Sequence, residues 1–262
     1  MNKRAVGQCF SRGSEVYDAR AAVQQDIARY LTTLSRTDPP SSQGLDLGCG
    51  TGYLSRMCHP AEQWVGIDIA FGMVEKSVRN SQRSHEHVSQ IAPLFIHADA
   101  EALPFADAQF SRVVSSMALQ WVSSPMQCAT ELARVLAWHG IARLAILSSP
   151  GLPELAHGWA YVDQRARLNQ FPAMATWADA FKRAKLHVVD HHTKPFVTLH
   201  SDIFALLHSI NDIGAGTLQQ NLNKPLTRAT LRELSAWWQQ YHSTPQGLRL
   251  TYQVDFWHLQ KG

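Results

Sequence analysis

The chain has 262 residues, is 45% apolar and 17% charged, and carries 24 Lys and Arg against 21 Asp and Glu. It holds enough apolar residue for one large domain with a real core, which excludes a disordered chain. The net charge of +3 is too small for a generic nucleic-acid binder.

The first residues, MNKRAVGQCF, lack an apolar h-region, and no stretch approaches 18 apolar residues. The expectation is a soluble, cytoplasmic protein with no membrane partner. Helical spacing of Val23, Ile27, Tyr30, Leu31 and Leu34 predicts a helix over 15–35. Asp38-Pro39-Pro40-Ser41-Ser42 ends it in a loop. From Gly44 onward, short apolar runs at 44–47, 64–69, 94–98, 112–118 and 141–147 alternate with helical patterns. That rhythm predicts an α/β fold with a parallel sheet covered by helices on both faces.

After Pro150-Gly151 the rhythm changes. Helices are predicted over 152–169, 173–184 and 202–211, with a strand over 186–199 and a turn at Ile213-Gly214-Ala215-Gly216. Thr227 is placed to cap a last helix on which Leu231, Leu234, Trp238 and Tyr241 share a face. Alternation of Leu248, Leu250, Tyr252, Val254 and Phe256 predicts a final strand that closes the sheet. The expected organisation is a helical cap (1–40), a core (41–150), a helical lid with the strand near 186–199 (151–241), and the closing strand (242–262). The four cysteines have no CxxC spacing and the thirteen histidines no HExxH run, so no metal site is expected.

The chemistry concentrates in Leu45-Asp46-Leu47-Gly48-Cys49-Gly50-Thr51-Gly52. An acid ends a strand, and glycines at a strand-to-helix turn let the backbone approach a ligand. Asp68 ends the next predicted strand, 22 residues on, where a carboxylate suits a ribose diol. Asp99-Ala100 follows the third and can read an adenine amino group. A dinucleotide site expects G-x-G-x-x-G with a helix start facing pyrophosphate. Here the spacing is G-x-G-x-G with Asp46 beside it, which repels phosphate and suits a cation. S-adenosylmethionine, with a sulfonium, an α-amino group and no phosphate, fits; NAD and NADP do not.

These segments, together with VGIDIAFGMV (65–74), HADAEALPFADAQF (97–110) and VVSSMALQW (113–121), resemble the class I S-adenosylmethionine-dependent methyltransferases. The resemblance implies a Rossmann-like, seven-stranded, mostly parallel sheet with a helical lid insertion. It implies cofactor contacts at Asp46, Gly48, Gly50, Gly52, Asp68, Ile69, Met73, Asp99 and Ala100, with Ser115 and Met117 where the fourth strand faces the cofactor. S-adenosylhomocysteine is the implied product.

A narrower resemblance runs along almost the whole chain, to the malonyl-acyl-carrier-protein O-methyltransferases of biotin synthesis. It rests on Phe10 with Tyr17 and Gln24, Leu119-Gln120-Trp121, Leu152-Pro153-Glu154-Leu155 with Trp159, Asn169 with Phe171, Ser209 with Ile213-Gly214-Ala215, Thr227-Arg228, and Leu248-x-Leu-Thr-Tyr252. It implies an acceptor that is malonyl on an acidic acyl carrier protein or on coenzyme A, met by Tyr17, Gln120, Trp121 and His208. The family tends to carry basic residues before the Ile-Gly-Ala turn, where this chain has His208-Ser209-Ile210-Asn211. Arg165, Arg167, Lys182 or Arg228 are the candidates to supply that charge. Nine basic against four acidic residues between Arg165 and Arg232 give this half a mild positive field suited to an acidic partner. A carboxylate acceptor is ionised near neutral pH, so no acid or base is assigned. The alternatives are a methyltransferase acting on a small acceptor such as a quinone precursor, and a non-catalytic cofactor-binding regulator. Sequence does not reveal the oligomeric state.

Overall fold

A computed structural model describes residues 2–39, 43–57, 63–85, 92–162, 169–212 and 226–262. Helices α1 (Lys3–Arg20) and α2 (Ala22–Leu34) precede an alternation: β1 (Gln43–Leu47), α3 (Tyr53–Met57), β2 (Gln63–Asp68), α4 (Phe71–His85), β3 (Leu94–His97), β4 (Phe110–Ser116), α5 (Pro125–Val135) and β5 (Leu136–Ile146). Then come α6 (Pro153–Tyr161), α7 (Met174–Arg183), β6 (Leu186–His200), α8 (Ile203–Asp212), α9 (Arg228–His242), the two-residue β7 (Ser243–Thr244) and β8 (Gly247–Lys261).

The sheet order is β3-β2-β1-β4-β5-β8-β6, with β7 paired to β8. Strands β1 to β5 are mutually parallel, and β8 runs antiparallel to both β5 and β6. The expected seven-stranded, mostly parallel α/β sheet is therefore present, with β7 as a small addition. The final strand sits between β5 and β6, and β6 is the outer strand. Pro195 on β6 fits that placement, because an edge strand tolerates a residue with no N–H to donate.

The single helix expected over 15–35 is two helices. Ala21 leaves the helical region (φ −89°, ψ 35°), and the Gln25 side chain donates to the freed Asp18 carbonyl at 2.8 Å. The break lets α2 bury Val23, Ile27 and Leu31 against the sheet while α1 runs on in another direction. Helix starts follow their local signals. Asn2, Ser124 and Thr227 accept from the backbone N–H three residues on, and Pro125 and Pro153 occupy first-turn positions.

Two apolar cores flank the sheet. One joins α2, α6, α8 and α9 to Leu248, Leu250, Tyr252, Val254 and Phe256 of β8; the other joins α5 and α7 to Leu45, Leu47, Val113, Leu144 and Trp257. Thus α7, expected within the lid, lies on the opposite face from α6, α8 and α9, and its Trp177 and Phe181 are fully buried there. On α9, Leu234 and Trp238 are buried as expected, but Tyr241 is 59% exposed.

Helix α6 is tied to β8 through Glu154. This buried carboxylate accepts from the Thr251 N–H (3.1 Å) and hydroxyl (2.6 Å) and lies 3.3 Å from Arg249. Glu154→Ala leaves the Thr251 N–H buried without a partner, which should cost about 1–3 kcal/mol. Urea unfolding should show a lower midpoint at unchanged slope. An unchanged midpoint would remove Glu154 as an anchor.

Candidate active site

The carboxyl ends of β1, β2, β3 and β4 open on one cleft of about 760 Å³, solvent at its mouth included. Its floor is the loop after β1. The Gly48 and Cys49 N–H groups both donate to Ile67 O at 2.8 Å, folding the loop back on β2. Gly48 has φ +73°, and a Cβ there would lie 2.2 Å from the Ala118 Cβ. Gly50 has φ +54°, and a Cβ there would meet no atom within 4 Å. Its missing side chain leaves open space beside the cleft.

Asp68 ties the loop to β2. One carboxylate oxygen accepts from Gly50 N at 2.9 Å, the other from Ala70 N at 2.7 Å. Burial raises its pKa, and those two N–H groups partly offset the rise. Asp46 is 1% exposed and accepts from the Ser55 hydroxyl at 2.6 Å. Burial pushes its carboxyl up to about 7; the Ser55 hydrogen bond opposes this and the nearby Asp68 charge adds to it. Ile69, Met73, Asp99 and Ala100 line the cleft with Gly48, Gly50 and Asp68, and Met117 (φ +56°) lines it from the end of β4.

Asp46 faces an adjoining cavity of about 460 Å³, with Gly48, Gly50, Thr51, Gln24 and Ser116 on its walls. A third chamber, about 320 Å³ with open solvent included, is lined by Phe10, Tyr17, Gln24, Met117, Gln120, Trp121, Leu147, Phe171 and Tyr252. Tyr17 belongs to all three. Phe10, Trp121 and Phe171 pack edge to face in series, with ring centroids 5.6 and 5.1 Å apart.

Helix α1 covers the cleft through Lys3, Val6, Phe10 and Tyr17. It is fastened at both ends. Lys3 Nζ lies 2.6 Å from Asp99 and 2.5 Å from Glu101; Asp18 accepts from the Thr51 hydroxyl (2.5 Å) and Asn80 (3.0 Å). Among the described residues, α1 covers the cleft. Among the described residues of 151–241, only Phe171 lines these cavities.

Four expected site residues are placed differently. Ser115 is fully buried and donates to Leu47 O at 2.6 Å; its neighbour Ser116 lines the cleft instead. Gly52 lies against α4, where a Cβ would come within 3.0 Å of Phe95 and 3.1 Å of Ser77. His208 is exposed on α8 and lines none of the three cavities. Lys182 is exposed on α7, across the sheet from α6, α8 and α9. Arg165, Arg167 and the Ile213-Gly214-Ala215 turn lie outside the described residues. Sequence reasoning gave no role to Lys3, Glu101, Ser116, Gln24, Leu147, Phe171 or Tyr252. Gln24, Phe171 and Tyr252 stood among the residues that carry the narrower resemblance, which was the available signal.

A glycine-lined cleft at the strand ends, acids at the ends of β1 and β2 and after β3, and an adjoining chamber define an S-adenosylmethionine-dependent methyltransferase. Residues 45–144 match the methyltransferase domain family. Solved structures share the fold. The YcgJ protein of Bacillus subtilis superposes with a TM-score of 0.63 at 17% identity, covering 90% of this chain and 98% of that one. Geranyl diphosphate C-methyltransferase of Streptomyces coelicolor, which holds S-adenosyl-L-homocysteine, gives 0.55 at 11%, covering 90% and 78%. Among curated proteins, the malonyl-[acyl-carrier protein] O-methyltransferase of Pseudescherichia vulneris is 33% identical over 98% of this chain and 96% of its own length. That of Serratia marcescens is 32% identical over 90% and 88%. The biotin biosynthesis bifunctional protein BioHC of Teredinibacter turnerae is 29% identical over 99% of this chain, which spans 47% of that longer protein. The chain belongs to the malonyl-[acyl-carrier protein] O-methyltransferase family. No helix among the described residues is long and apolar enough to cross a membrane.

Proposed function

We propose that the chain methylates the free carboxylate of malonyl carried on acyl carrier protein, giving the methyl ester that starts biotin synthesis. The supporting observation is the lining of the 320 Å³ chamber, which among the described residues includes no Asp, Glu, His, Lys or Arg. An acceptor that must lose a proton would need a base there. A carboxylate, with an ordinary pKa near 4, arrives ionised. A quinone precursor would not.

When bound, S-adenosylmethionine supplies a sulfonium methyl group, which a carboxylate oxygen takes by in-line displacement while the carbon–sulfur electron pair stays on sulfur. The residues of the chain bind, orient and exclude water. Gly48 and Gly50 bring backbone close to the cofactor, Asp68 accepts from its ribose, and Asp99 with Ala100 reads adenine. Asp46 faces its α-ammonium, and Ile69, Met73 and Met117 supply apolar contact. Tyr17, Gln120 and Trp121 meet the acceptor. Opposite charges meet and cancel in this step, so a dry, preorganised chamber favours it over water. The test is whether turnover needs the free carboxyl. Malonyl thioester should be consumed and acetyl thioester left untouched; equal methylation of both, or of neither, would refute the reading.

The carrier is acidic by this reading, and Arg228 and Arg232 are exposed on α9. Raising salt from 0.01 to 0.15 M shortens the screening length from roughly 30 to roughly 8 Å. kcat/KM for malonyl-carrier protein should fall more than for malonyl-coenzyme A, and charge reversal at Arg228 and Arg232 should deepen the loss for the carrier alone. Identical responses would mean that α9 is solvated surface.

A further inference from the structure

The acceptor chamber holds polar groups that the protein leaves unsatisfied. Gln24 and Gln120 are 9% and 3% exposed, and their amide oxygens are buried with no hydrogen-bond partner. The Gln120 amide nitrogen is already committed to Met117 O at 2.8 Å. Tyr17 and Tyr252 reach the same chamber from α1 and β8, and no hydrogen bond of either hydroxyl is found among the described residues. A buried polar group without a partner is costly, and two such amide oxygens beside two phenol hydroxyls mark a place built for a polar ligand. Both amide oxygens are acceptors and suit an N–H or O–H of the ligand, whereas the two phenol hydroxyls can donate to an anion.

We propose that Tyr252 is a substrate-binding residue whose hydroxyl, together with that of Tyr17, donates to the carboxylate of the acceptor. This rests on the carboxylate reading of the acceptor given above. Tyr252 is 2% exposed, and its ring is fixed on β8 opposite Phe196 of β6, so the hydroxyl is held at the chamber by the sheet itself. Tyr17 approaches from the covering helix, so the two phenols reach the chamber from α1 and from β8. Burial raises the pKa of both phenols, with the Asp68 and Asp18 charges adding to the rise at Tyr17, and both stay protonated donors through the neutral range. A neutral pair has a chemical advantage over a cation. It orients the carboxylate without cancelling the charge that draws it to the sulfonium, and it gives up less nucleophilicity than a salt bridge would.

The experiment compares wild type with Tyr252→Phe, which keeps the ring and removes only the hydroxyl. KM for malonyl-carrier protein should rise ten- to a hundredfold. Affinity for S-adenosylhomocysteine and the thermal midpoint should stay as in wild type. Inhibition by the methyl ester product, which presents no anion, should change less than twofold. A KM within twofold of wild type would overturn the proposal. So would parallel losses in S-adenosylhomocysteine and product binding, which would make the hydroxyl a structural group. A wild-type enzyme that leaves malonyl-carrier protein unmethylated would refute the acceptor itself, and the proposal with it.

Discussion

Asp46→Asn should remove a pH dependence of stability worth up to about 4 kcal/mol between pH 4 and pH 7. The buried carboxyl titrates at about 7 in the folded chain and near 3.9 when unfolded, at 1.36 kcal/mol per pKa unit. Between those values the folded state holds a proton that the unfolded state has lost, so stability falls as pH rises. The contribution is fully present below pH 4 and gone above pH 7. Urea unfolding of the cofactor-free protein from pH 4 to pH 8 should show wild type losing stability relative to Asp46→Asn across that window. A constant difference between the two would mean that Asp46 is ionised throughout. In the proposed site the cofactor's α-ammonium would sit against this carboxylate and favour the ionised form. Affinity for S-adenosylhomocysteine should therefore rise with pH over the same window in wild type and stay flat in the variant.

Asp68→Ala should weaken S-adenosylhomocysteine binding by about 1–3 kcal/mol, a loss of roughly 5- to 150-fold. Two effects combine. By the proposed reading the ribose loses its acceptor, and the Gly50 and Ala70 N–H groups lose the carboxylate that fixes the loop. Asp68→Asn separates them, because an amide keeps one oxygen for the loop but accepts less from a diol. It should fall between wild type and Ala in calorimetry. Unchanged affinity in Asp68→Ala would remove the residue from the site.

What was legible in the sequence was local. Asp46, Gly48, Gly50, Asp68 and Asp99 sit where strands end, and each strand end is marked within a few residues by an apolar run followed by a polar or glycine break. What was not legible depended on long-range packing. Helix α1 buries only Val6, Gly7 and Ser14, too little apolar periodicity to announce a helix; its place over the cleft is set by Lys3, Ser11, Glu15 and Asp18 reaching residues 33 to 96 positions away. The alternation in β8 gave its buried face but not its neighbours, because antiparallel insertion between β5 and β6 leaves the same period of two. Ser115 and Ser116 differ by one residue, and parity along a strand decides which faces the cleft. Their sequence, Val-Val-Ser-Ser, is equally compatible with either. Tyr252 read as one more core aromatic of β8, since only the meeting of β8 with α1 and Phe171 turns that position into a chamber wall.

The most direct test of the account incubates the purified chain with S-adenosylmethionine and malonyl-acyl carrier protein and weighs the carrier. The account predicts a mass gain of one methyl, held as an ester that alkali hydrolyses, with one S-adenosylhomocysteine formed per ester. An unchanged carrier mass, in a protein that still binds S-adenosylhomocysteine, would contradict it.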